Sequence, residues 1–144
     1  MYRAVIIYAP DDEQMGGLAR RVESSLDRDS FEVETKIAGQ AAIPDLAAAD
    51  LIILGSRAAA EDPIHSDFSE ILRALSGITL AGRVAGVFSA AGVSTLAAFR
   101  RALQDCELAL PERNFLNLSG EHGPEIERWT AELVGQLEAQ SRGR

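Results

Sequence analysis

The chain has 144 residues and a formal charge of −8, from 14 Lys+Arg against 22 Asp+Glu. That length suits one domain, 1–144, able to bury roughly two-thirds of its unfolded surface. The charge argues against a nucleic-acid or anionic-membrane binder, which needs a basic face.

A lone cysteine, Cys106, excludes an intrachain disulfide and a Cys-based metal cage. The opening apolar run Ala4–Ala9 is too short for a signal-peptide core or a membrane span. A cytoplasmic location is therefore expected. Aromatics make up 6% of the chain.

In chain order, Ala4–Ala9 predicts a buried strand. Met15, Leu18, Ala19, Val22 and Leu26 then recur at helical spacing. Phe31–Ile37 alternates apolar and polar residues, which predicts a half-exposed strand. Pro44–Ala49 suits a short helix with Pro in its first position. Leu51–Leu54 is a second continuous apolar strand, stopped by Gly55. Phe68, Ile71, Leu72 and Leu75 form another helical stripe, with Asp67 and Glu70 at capping-box spacing. Val84–Phe88 predicts a third buried strand. Leu96, Phe99, Leu103 and Cys106 mark the next helix, and Phe115–Leu118 a last short strand. Ile126, Trp129, Leu133 and Leu137 stripe a final helix after Pro124, and residues 140–144 are expected to fray.

Strands and helices thus alternate five times. Continuous apolar strands need cover on both faces, as in parallel α/β folds. The alternating strand Phe31–Ile37 belongs at an edge, where Glu32, Glu34 and Lys36 meet water. The predicted class is a doubly wound α/β fold with five parallel strands in the order 2-1-3-4-5. Such sheets bind ligands beyond the carboxyl ends of the strands, at the switch between strands one and three. Three loops converge there: 10–17, 55–62 and 89–94.

The chain resembles the flavodoxin-like family, in its short-chain form. It is similar to the flavodoxin module of A-type (diflavin) flavoproteins. The resemblance rests on Val5-Ile6-Ile7-Tyr8, on Pro44 through Ser56 with its Leu54-Gly55-Ser56 end, on Asp67 through Leu72, and on Leu80 through Ser89. It implies FMN as cofactor, electron transfer as function, and a redox partner protein. The acidic chain suits a partner with a basic docking face. The implied cofactor-binding residues are Met15, Gly16, Gly17, Gly55, Ser56, Arg57, Ala58, Ser89, Ala90, Ala91 and Gly92.

The family cradles the FMN phosphate in a first loop rich in Ser, Thr and Gly, at a helix N-terminus. Here that loop carries Asp11, Asp12 and Glu13, which oppose a dianion. Two readings stand. Asp11 with Gln14 has capping-box spacing, so the acids can be an ordinary helix start. Alternatively, backbone amides near Met15, Gly16 and Gly17 make the phosphate site. The ring-sandwiching positions read Ala58-Ala59-Ala60 and Ala90-Ala91-Gly92, too small to stack on a flavin. The alternative to electron transfer is a binding or regulatory domain on the same scaffold without FMN.

Other constellations favour structural readings. A receiver-type phosphoacceptor is missing, because Leu54-Gly55-Ser56 stands at its place. Ser89 lies outside a G-x-S-x-G pattern. His65 and His122 read as loop residues without a role. Cys106 and Trp129 read as core, and Arg57 as an ion-pair partner of Asp11 or Asp12.

Overall fold

The computed structural model describes residues 1–57, 62–90, 93–108, 110–118 and 124–142. The strands are β1 (Tyr2–Ala9), β2 (Phe31–Ile37), β3 (Leu51–Ser56), β4 (Val84–Ser89) and β5 (Phe115–Asn117). The helices are α1 (Glu13–Ser24), α2 (Ile43–Ala47), α3 (Ser69–Ala74), α4 (Val93–Leu103) and α5 (Glu125–Arg142). All strand pairs are parallel, in the order β2-β1-β3-β4-β5. The expected class, strand order and edge position of Phe31–Ile37 are what the structure has.

Side chains alternate across each strand and feed two separate cores. Ala4, Ile6, Leu51, Ile53, Val84 and Phe88 join Met15, Val22, Trp129 and Leu133 on the α1/α5 face. Val5, Ile7, Ile52, Leu54, Ala85 and Val87 join Leu46, Phe68, Ile71 and Phe99 on the other. Continuous apolar runs are required because both faces are covered. On the second face the rings of Phe68 and Phe99 meet edge to face at 5.1 Å.

The edge strand β2 keeps Glu32 and Glu34 exposed. Lys36 reaches the Asp45 carboxylate at 2.9 Å and Glu34 at 3.3 Å. Such charges blunt an edge against further pairing.

Local boundaries depart from the sequence expectation in several places. Asp12, not Asp11, caps α1: its backbone is extended and its carboxylate accepts the Met15 N–H. Pro44 takes the second helical position of α2, behind Ile43. The capping box at Asp67 and Glu70 does not form. A 3-10 turn over Ser66–Phe68 comes first, capped by His65, and α3 starts only at Ser69. α4 also gives way to a 3-10 turn, Gln104–Cys106, which buries Cys106 as expected. α5 continues to Arg142, into the segment expected to fray. Among the described residues, no helix is long and apolar enough to cross a membrane.

Candidate functional site

The parallel register brings one row of residues to the carboxyl edge of the sheet. Ala9 pairs with Ser56, Ser56 with Ser89, and Ser89 with Asn117. Ala9, Ser56 and Ser89 are fully buried. Two of the predicted site residues, Ser56 and Ser89, are therefore neighbours. The loop after β1 arrives beside them because β1 lies next to β3.

That first loop leaves β1 through a cis Ala9–Pro10 peptide and enters α1 at Asp12. The Asp12 Oδ1 accepts the Met15 N–H at 2.9 Å, and the Asp12 main-chain carbonyl accepts the Gly16 N–H at 2.9 Å. From the end of β3, the Arg57 guanidinium meets Asp12 Oδ2 at 2.7 Å. A second guanidinium N–H of Arg57 donates to Gln14 Oε1. The Asp12 carboxyl is held below the usual carboxylate range, first by the Met15 N–H and then, against some desolvation, by Arg57. Charge-assisted bonds of this kind are the stronger ones. Of the two expected partners for Arg57, Asp12 is the one it takes. Asp11 and Glu13 stay exposed.

Met15 and Gly16, expected near a phosphate, thus have their amide hydrogens spent inside the chain. The Met15 side chain is buried in the α1/α5 core. Gly17 already lies in the second turn of α1. Beside them, Tyr8, the last residue but one of β1, has its phenol pushed up, first by burial and then by the Asp11 charge.

Gly55 has a packing role. A Cβ built there would lie 2.1 Å from Cζ of Phe88, its cross-strand partner. The missing side chain makes room for that ring on the α1/α5 face. Gly86 does the same for α5, where a Cβ would come 2.7 Å from both Trp129 and Leu133. Trp129 is core, as expected.

Two hydroxyls hold the chain on either side of the second loop. Ser56 Oγ accepts the His65 N–H at 3.0 Å and donates to the Arg57 carbonyl at 3.2 Å. The buried Thr95, in the first turn of α4, donates to the Pro63 carbonyl. His65 Nδ1 accepts the Asp67 N–H at 3.1 Å. His65 therefore has a capping role, contrary to expectation. Neither Thr95 nor the His65 cap was visible in the sequence, because each depends on the path of the loop between β3 and α3. Ala90 is buried. Ala58, Ala91, Gly92 and His122 lie outside the described residues.

The site therefore holds an internal ion pair across two loops, with hydroxyls committed to main-chain groups. Among the described residues, no cluster of His, Cys, Asp or Glu could hold a metal ion. The first turn of α1 does not fit an anionic phosphate: its Met15 and Gly16 N–H groups are taken and the Asp12 carboxylate stands in front of it.

No protein-family model and no curated protein sequence matches the chain. Solved structures do. A short-chain flavodoxin associated with a bacterial microcompartment superposes with a TM-score of 0.81 at 19% identity, covering 97% of this chain and 99% of that one. The Fusobacterium nucleatum flavodoxin bound to flavin mononucleotide gives a TM-score of 0.75 at 15% identity, covering 94% and 99%. Rubredoxin:oxygen oxidoreductase from Desulfovibrio gigas gives 0.72 at 14% identity, covering 97% of this chain and 36% of that one. Together with the strand order and the two-sided burial, these likenesses establish that the chain has the flavodoxin-like fold.

Proposed function

We propose that this chain is a flavodoxin-fold binding domain that engages a partner protein with a basic face and does not anchor FMN by its phosphate. The observation that carries this reading is the Asp12 carboxylate, bound at once to the Met15 N–H and to Arg57. The group that FMN would present there is a dianion, and the donors it would use are already engaged. Ser56 and Thr95, hydroxyls at the same end of the sheet, are committed to main-chain partners. Among the described residues around that end, the acids Asp11, Glu13 and Asp62 are exposed. With a net charge of −8, such a rim steers a basic surface toward it and repels an acidic one.

The competing reading is an FMN-dependent electron-transfer module. It is favoured by the likeness to the Fusobacterium nucleatum flavodoxin bound to flavin mononucleotide. Fold alone cannot choose between the two, since one scaffold hosts many functions.

Titration with FMN and with riboflavin, followed by flavin absorbance and fluorescence, separates them. Riboflavin has the same ring and no phosphate. The binding-domain reading expects no FMN to be retained, or both flavins to bind equally weakly. Stoichiometric FMN binding, much tighter than that of riboflavin, would overturn the binding-domain reading and favour the electron-transfer one. Docking in the cytoplasm to a basic partner is then tested by its salt dependence: association slows as added salt screens the rim.

A further inference from the structure

We infer that Asp12 decides which ligands this end of the sheet accepts, and that it excludes a phosphate group by occupying the donors rather than by repelling charge. The inference deepens the reading above and rests on it.

Three acids stand in a row at the start of α1, and charge counting treats them alike. Their geometry does not. Asp12 is turned into the helix end and accepts the Met15 N–H at 2.9 Å, while Arg57 closes on its other oxygen at 2.7 Å. Asp11 and Glu13 are exposed and take no part in this arrangement. Arg57 also compensates the Asp12 charge, so repulsion is weakest at the very residue that blocks the helix end. What an incoming phosphate meets is a finished set of bonds. It would have to break a charge-assisted N–H bond and a carboxylate–guanidinium pair before making its own. Arg57 is further held by Gln14, which keeps the guanidinium on the carboxylate. Arg57 and Gln14 are therefore positioning residues, and Asp12 is the specificity-determining one.

Occupancy and repulsion predict different outcomes for two substitutions. Asn caps a helix as well as Asp does, and Gly is tolerated there almost as well. Asp12→Asn therefore removes the charge and keeps an acceptor on the Met15 N–H. Asp12→Gly removes both. The probe is inorganic phosphate, and the readout is the Met15 amide resonance of the 15N-labelled full chain. Its spectrum also reports whether each variant is folded.

The wild type and Asp12→Asn are expected to show no saturable movement of that resonance. Asp12→Gly is expected to show it, with phosphate binding at least about tenfold tighter than in the wild type. Saturable movement in the wild type, silence in Asp12→Gly, or equal binding by Asp12→Asn and Asp12→Gly would each overturn the inference. The two readings fail separately. Phosphate-dependent FMN retention by the wild type counts against the proposed function. A flavin-free wild type with a silent Asp12→Gly counts against Asp12 alone.

Discussion

Gly55 and Phe88 face each other across β3 and β4, and the ring of Phe88 fills the place where any other residue at 55 would carry its side chain. The ring is fully buried, so it has nowhere to withdraw. Gly55→Ala is expected to destabilise the fold by about 1–3 kcal/mol through overpacking. Adding Phe88→Leu should recover part of that loss. Urea denaturation of the two single variants and the double variant measures the coupling.

Asp12 gives stability a pH dependence of definite sign. Its folded carboxyl lies below the ordinary value, first because of the Met15 N–H and then because of Arg57. As pH falls, the unfolded chain takes up its proton first. The contribution is therefore complete above the unfolded value, near 4, and is lost as pH falls through the depressed folded value. Asp12→Ala is expected to cost about 1 kcal/mol at neutral pH, the usual effect of losing a cap. In urea titrations below pH 4 the difference from wild type should shrink.

The buried Asn114 amide donates to the Ala85 carbonyl at 2.8 Å and exchanges two further hydrogen bonds with the Gln136 amide. It joins the approach to β5, the strand β4 and the helix α5. Asn114→Ala leaves the Ala85 carbonyl and Gln136 without this partner. A loss of about 1–3 kcal/mol is expected, the cost of unsatisfied buried polar groups. Gln136→Ala should cost less, because the Ala85 bond survives. Thermal unfolding of both variants ranks them.

The Lys36–Asp45 pair looks stronger than it should prove. Lys36 is raised, first by its hydrogen bond to Asp45, and Asp45 is lowered, first by Lys36 and then by the Ala42 N–H. Yet the ammonium lies at the solvent edge of β2. Asp45→Asn is expected to change stability only slightly, as for other surface ion pairs. That difference should fade at high salt, where surface charges are screened. Urea midpoints at low and high salt check both statements.

Much of the fold was legible in the sequence for a plain reason. β3 and β4 are buried on both faces, and burial on both faces leaves unbroken apolar runs such as Leu51–Leu54. β2 is solvated on part of its surface and alternates. Strand order then follows from which strand can tolerate an edge. Of the candidate site, the meeting of the first two loops was legible. Arg57 could be placed opposite the first loop because β1 lies beside β3. Whether it met Asp11 or Asp12 could not be read, since that depends on where the chain turns after Ala9 and which carboxylate swings into the helix. The role of Gly55 was hidden for another reason. A glycine at a strand end looks like room for a ligand, and only the register shows that Phe88 uses the room. His65 and Thr95 were missed because their hydrogen bonds join residues whose nearness is set by a loop path.

The two cores lie on either side of the sheet, and the Asp12–Arg57 pair lies outside both. Neither side chain of the pair belongs to either core, so substituting Asp12 or Arg57 removes no apolar contact below. Substitutions in the packing leave the rim chemistry unwritten. The Asp12 and Arg57 side chains can therefore be exchanged while every side chain of the two cores stays as it is.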